Sequence, residues 1–301
     1  MISARLKSSF FKDYYSILTL CFFLLLIPVE VHSQHLFTIE DHIYRSIKGF
    51  SSRVRYLVLH CTQENFLDSV QILGQNGQLS AHYLVPDPSD PTYLSEGFRN
   101  IVIFNLVDEK DRAFHAGASG WEERTNLNDT SIGVEIVNRV TIEGDEYHFT
   151  PYPLEQRKAV IQLARSIIQR YPYITPTHVL AHSDIAYTRK NDPGPLFPWK
   201  ELYEAGVGAW YDDQTVADFK EQIKAGTVKI SKEALVPKFR KYGYAVEFTI
   251  DDSAYQQLVK AFQMHFRPEK YDGVMDSETA AILYALNHKY FYDHDDVSKS
   301  S

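Results

Sequence analysis

The sequence predicts an α/β fold followed by a small helical domain, and three observations carry that prediction. Between about residues 35 and 211, short apolar runs rich in β-branched and aromatic residues alternate with helical patterns. After "GVGAWYDD" (206–213) the strand patterns stop and short helical patterns take over. The chain has 301 residues, 44% hydrophobic and 23% charged, enough for one sizeable core and a smaller module.

The first 33 residues stand apart. Arg5, Lys7 and Lys12 form a basic start, "SILTLCFFLLLIP" an apolar run, and "VHS" a small-residue end. A membrane span needs about 20 apolar residues, so the shorter run predicts a secretory signal (1–33) cleaved after Ser33. An uncleaved anchor is the alternative. Cys21 lies inside the run behind the bulky Leu20, an unsuitable context for lipidation. The mature chain is then exported, without a stable membrane span, and keeps only Cys61, which excludes an internal disulfide. A net charge of −8 leaves no basic stripe for phosphates, so no nucleic-acid partner is expected.

"RVRYLVLHC" (53–61) is apolar on both faces, the pattern of a buried central strand, with His60 at its C-terminal end. "NFLDSVQILGQ" suits a helix; "AHYLVP" (81–86), "IVIFNLV" (101–107) and "SIGVEIVN" (131–138) suit strands. Over 154–171, Val160, Ile161, Ala164, Ile167, Ile168 and Tyr171 recur at helical spacing until Pro172. "TPTHVLAH" then runs as a strand up to His182. The remaining boundaries follow: an α/β domain over 34–211, a helical domain over 212–292 and a disordered tail over 293–301.

Zinc hydrolases commonly use three protein ligands and leave a fourth position for water. His60 and His182 at strand ends, with Asp192 in a turn, are suitable donors. Pro193 restricts Asp192 to extended geometry and Gly194 permits a tight return. Each residue alone also suits a plain core or turn role, so spacing leaves both readings open. His178 and His182 form an H-x3-H pair, but Pro172 and Pro176 argue against the helix such a pair needs. Glu135 shares a strand face with Gly133, and a carboxylate buried there suits a general base beside an activated water, a partly exposed edge-strand glutamate being the alternative. Lys190 suits oxyanion stabilisation, and a solvated surface lysine equally.

"VLHCT", "SAHYLV", "FHAGASGW", "LNDTSIGVEIVN" and "AHSDIAYTRKNDPGPLFPW" together resemble the zinc-dependent N-acetylmuramoyl-L-alanine amidases of the peptidoglycan-recognition superfamily, type 2. The resemblance covers about 53–211 and is closest to the periplasmic enzymes of Gram-negative bacteria. It implies a central mixed β-sheet flanked by helices. It also implies one zinc ion on His60, His182 and Asp192, Glu135 as general acid/base and Lys190 as oxyanion stabiliser. His115, Trp121 and Asn128 would line the substrate groove, and His82 would be structural. Tyr187 departs from the usual proline, and Cys61, adjacent to His60 on a strand, is expected to face away from the metal. Phe262-Gln263 with Asp272, Gly273, Asp276 and Thr279 resemble a three-helix peptidoglycan-binding domain, a pattern that is mostly structural.

The expected activity is hydrolysis of the amide between N-acetylmuramic acid, including its anhydro form, and L-alanine of the stem peptide. The expected partners are peptidoglycan or muropeptides, the place the periplasm, free or associated with the outer membrane or wall, and the state a monomer. Two rivals remain: a recognition module that binds muropeptide without cutting, and a zinc peptidase acting within the stem peptide.

Overall fold

The computed structural model describes residues 38–144 and 146–291, so the expected signal segment and its cleavage site, Cys21 and the tail over 293–301 lie outside the described residues. The chain divides into two units, Met1–Phe50 and Ser51–Ser301. In the first, residues 38–50 form no helix or strand. The Glu40 carboxylate accepts from the His42 and Ile43 amides at 2.6 and 3.0 Å. Among the described residues, no helix is long and apolar enough to cross a membrane.

The second unit is built on a six-stranded mixed sheet. Its strands are β1 (Tyr56–Gln63), β2 (Tyr83–Val85), β3 (Phe104–Asn105), β6 (Ser131–Glu143), β7 (Glu146–Phe149) and β8 (Val179–Ala181). The order is β3-β2-β6-β1-β8, with β7 paired to β6; a separate ribbon joins β4 (Gly120–Trp121) to β5 (Arg124–Thr125). β1 runs parallel to both β6 and β8, and β2 parallel to β6, while β3 and β7 are antiparallel additions. Parallel strands covered on both faces need continuous apolar runs, and Tyr56–Leu59 are accordingly fully buried.

The strand expected over 101–107 contracts to two residues. Tyr93 Oη accepts the Val102 amide, and Asn105 Nδ2 donates to the His82 and Val107 carbonyls, so side chains occupy groups that a ladder would use. Counting helices in chain order, α1 is Phe66–Val70, α2 Pro91–Ser95 and α3 Leu154–Arg170. α3 buries Ala159, Val160, Ala164 and Ile167 against the sheet, with Ile161 and Ile168 at its margins. Two short helices follow, α4 (His182–Ile185) and α5 (Trp199–Glu204).

Among the described residues, the C-terminal helical region comprises α6 (Asp213–Lys224), α7 (Lys232–Tyr242), α8 (Asp252–Phe266) and α9 (Ser277–Phe291). Their buried Leu235, Phe239, Leu258, Phe262 and Leu283 join the sheet's apolar residues in one continuous core. Gln263, fully buried, accepts the Gly273 amide and donates to Val274 O and Thr279 Oγ1. Asp276 accepts the Thr279 amide at 2.9 Å at the start of α9. Gly273 has φ +74° and its missing Cβ would fall 2.8 Å from Gln256. These motif residues therefore hold a turn and a cap.

Candidate active site

Three neighbouring strands, β1, β6 and β8, bring the site together at one edge of the parallel sheet. His60 lies near the end of β1, where its register partner on β6 is Glu135. β8 pairs with β1 through Leu59 and Ala181, so His182, the first residue of α4, emerges beside His60. The following loop turns back on itself: Lys190 N donates to Ala186 O, and Ser183 N donates to Asp192 O, each at 3.0 Å. Tyr152 Oη holds the Pro193 carbonyl at 2.8 Å. Gly194 has φ +85°, and a Cβ there would meet the Phe149 ring at 2.4 Å, so no other residue fits this turn. The Asp192–Pro193 peptide is cis.

The result is a buried triangle. His60 Nδ1 lies 3.0 Å from His182 Nδ1 and 3.1 Å from Asp192 Oδ2, and His182 Nδ1 is 3.1 Å from the same oxygen. Tetrahedral bonds of about 2.0–2.1 Å to a zinc ion would set ligand atoms about 3.3 Å apart. His182 Nε2 lies 3.2 Å from the Ala116 carbonyl, which can only accept, so the proton sits on Nε2 and Nδ1 is bare. Two imidazoles and a carboxylate are donors that suit zinc. Glu135 Oε2 is buried without a hydrogen-bond partner, and Oε1 lies 3.9 Å from His60 Nδ1. An orphaned carboxylate beside three converging acceptors fits a centre meant for a cation.

The electrostatics agree. Burial pushes the His60 imidazole down to about 4, with His182 adding to the effect, so it is a neutral donor at neutral pH. Burial would raise the Asp192 carboxyl, but His182 and His60 outweigh it and hold the carboxyl well below its ordinary value. Glu135 moves the other way: burial first, then the Asp192 charge, raise it to about 8, against the pull of Lys190.

Above the triangle opens a groove of about 210 Å³. Glu135 reaches it from β6, His182 from the start of α4, and Arg189, Lys190 and Asp192 from the loop that follows, while Leu79 and Phe114 form an apolar wall. Cys61 is buried and touches this groove, yet stands outside the His–His–Asp cluster.

Two residues expected in the groove lie elsewhere. Trp121 is fully buried, its ring packed on Tyr244 at 4.8 Å and against Gly243, where even a Cβ would clash. Asn128 is buried too, and its Oδ1 accepts the His115 and Ala116 amides at 3.0 and 2.8 Å. His115 does line the groove, but its Nδ1 faces His60 Nε2 at 3.0 Å and its Nε2 faces Ser131 Oγ at 3.2 Å. His178 belongs to another cluster, on Glu122 and with its ring tilted against Tyr56 at 4.7 Å. His82 accepts the Gly133 amide at Nδ1 and donates to Asp111 O from Nε2.

Other participants were not singled out from sequence. Arg189 donates to the carbonyls of Ala116 and Ala118, bracing the loop that carries His115. Asp184, two residues past His182 and fully buried, accepts from Ala181 N at 2.8 Å, Tyr244 Oη at 2.7 Å and His265 Nδ1 at 2.7 Å. Tyr244 and His265 lie 60 and 81 residues away, and no local pattern points to them.

Comparison with known proteins agrees with this geometry. The family model described as N-acetylmuramoyl-L-alanine amidase matches residues 50–195. The chain is 43% identical over 251 residues to the N-acetylmuramoyl-L-alanine amidase AmiD of Escherichia coli K12, covering 83% of this chain and 88% of AmiD. Among solved structures, AmpDh3 of Pseudomonas aeruginosa in complex with anhydromuramic pentapeptide superposes with a TM-score of 0.81 at 53% identity, over 85% of this chain and 99% of AmpDh3. The complex of E. coli AmiD with anhydro-N-acetylmuramic acid-L-Ala-D-gamma-Glu-L-Lys gives 0.73 at 40%, over 83% and 95%. Sheet, helices and C-terminal helical region are thus shared along most of the length, and the chain belongs to the type 2 N-acetylmuramoyl-L-alanine amidase family.

Proposed function

We propose that this chain hydrolyses the amide between N-acetylmuramic acid, including its anhydro form, and L-alanine of the peptidoglycan stem peptide. The observation that carries this reading is the unpartnered Glu135 carboxylate directly beside the His60, His182 and Asp192 triangle at the groove floor. His60 Nδ1, His182 Nδ1 and Asp192 Oδ2 would hold one zinc ion. Such an ion supplies Lewis acidity: a more acidic attacking water and a more polarised carbonyl.

The chain's own groups do the rest. Glu135 Oε2 takes the proton of the attacking water and later delivers it to the departing L-alanine nitrogen. Lys190 Nζ, on the groove wall, donates to the carbonyl oxygen as negative charge gathers there. Burial keeps the His60 imidazole neutral and competent as a donor.

The molecules bound in the AmpDh3 and AmiD complexes, anhydromuramic pentapeptide and the anhydromuramyl tripeptide, support muropeptides as ligands. The basic start and apolar run of the first 33 residues support export to the periplasm, with the mature catalytic domain over 34–211 and the helical region over 212–292 acting as a monomer. Purified protein incubated with anhydromuramyl peptides should release the intact peptide and the free sugar by mass spectrometry. Chelation and Glu135→Ala should each abolish release; cleavage unchanged by both would overturn the mechanism.

A further inference from the structure

We propose that His115 is a positioning residue that sets the tautomer of His60, so that the His60 Nδ1 is presented bare to the centre; this rests on the metal-centre reading above. The direction of each hydrogen bond follows from the far end of a buried chain. Ser131 Oγ lies 2.6 Å from the Leu127 carbonyl, which can only accept, so the hydroxyl proton is committed there. Ser131 Oγ therefore accepts from His115 Nε2–H at 3.2 Å. With its proton on Nε2, neutral His115 has a lone pair on Nδ1 and accepts from His60 Nε2–H at 3.0 Å. The His60 lone pair is then on Nδ1, facing His182 and Asp192. Reversing any one bond places two protons or two lone pairs against each other.

The same short stretch of sequence builds the seat for the His115 ring. Asn128 Oδ1 holds the amides of His115 and Ala116. Ser131 receives the ring's proton, and Gly133 leaves the space, since a Cβ there would fall 2.4 Å from the ring's Cγ. Asn128, Ser131 and Gly133, scattered through "LNDTSIG", thus serve one side chain. Ala116, fixed by Asn128, also offers the carbonyl that sets the His182 tautomer. The Arg189 Nη2 that lies 3.4 Å from His182 Nε2 already donates to that carbonyl. One loop therefore orients both histidines, and groups of this kind behind metal-binding histidines typically govern affinity.

The test is zinc affinity, by competition against a chromophoric chelator, of the unaltered protein, Ser131→Ala and His115→Phe, with thermal melts as the folding control. Both variants should bind zinc about 10- to 100-fold more weakly. In the zinc-loaded unaltered protein, long-range ¹H–¹⁵N NMR should find His115 protonated on Nε2 alone. A proton on Nδ1 of His115, or a Ser131→Ala affinity within twofold of the unaltered protein, would overturn the relay. Should His115→Phe not fold, Ser131→Ala and the NMR measurement decide. Unaltered protein that binds zinc with this tautomer but cleaves no muramyl amide would overturn the amidase reading and leave the relay standing.

Discussion

Glu135 lies directly across from His60 on the neighbouring parallel strand, with its Oε1 3.9 Å from the histidine's Nδ1. Parallel pairing of β1 with β6 therefore places the proposed proton carrier beside the proposed metal donor through backbone register alone. Glu135→Gln keeps the shape and loses the base. Its kcat on an anhydromuramyl peptide should fall by about 10²–10⁴. Zinc affinity should stay near that of the unaltered protein, and a loss of less than tenfold in kcat would remove Glu135 from the role.

Zinc should stabilise the fold by mass action. At a free concentration of about 100 times its Kd the gain is about 2.7 kcal/mol, read as a raised unfolding midpoint. Asp192→Ala removes one corner of the triangle, and its midpoint should no longer respond to zinc.

In zinc-free protein the pH dependence carries a definite sign. The Glu135 carboxyl is raised from 4.5 to about 8 in the folded state by burial and the Asp192 charge. Between those values the folded state binds more protons than the unfolded state, so this group makes stability fall as pH rises. Glu135→Gln removes that slope. The variant should gain stability relative to unaltered protein on going from about pH 5 to about pH 8, measured by urea unfolding after chelation. An equal response in both proteins would show that the carboxyl is not held protonated.

Tyr244→Phe takes one donor from the buried Asp184 carboxylate, which also caps the strand end before His182. A hydrogen bond to a charged buried group is worth about 1.5–3 kcal/mol, and the urea midpoint should drop accordingly with an unchanged slope. The C-terminal helices reach the same carboxylate through His265, whose ring stacks on Trp199 at 3.8 Å.

Gly133→Ala should be among the most harmful single methyl additions in the chain. Its Cβ would overlap the His115 ring, and overpacking of this kind costs about 1–3 kcal/mol. Thermal melts and zinc titration of this variant should both shift; normal behaviour in both would mean that the ring moves aside freely.

The sequence by itself determined the α/β alternation, the burial of β1 and the strand-end placement of His60 and His182. These follow from local signals: apolar runs with period two, helical spacing over 154–171, and prolines that end the helix. The turn at Pro193-Gly194 was equally legible, because one glycine with positive φ suffices to reverse the chain. Motif residues such as Trp121, Asn128 and His115 were legible as important, but their orientation was not. Whether a side chain faces a groove or the core depends on what folds over it. Tyr244 and Gly243 cover Trp121 from far along the chain, and Asn128 and Ser131 turn inward to hold backbone and ring. Only the tertiary structure could decide those directions, and with them the bare Nδ1 atoms, since protons are placed by partners that sequence separates and packing brings together.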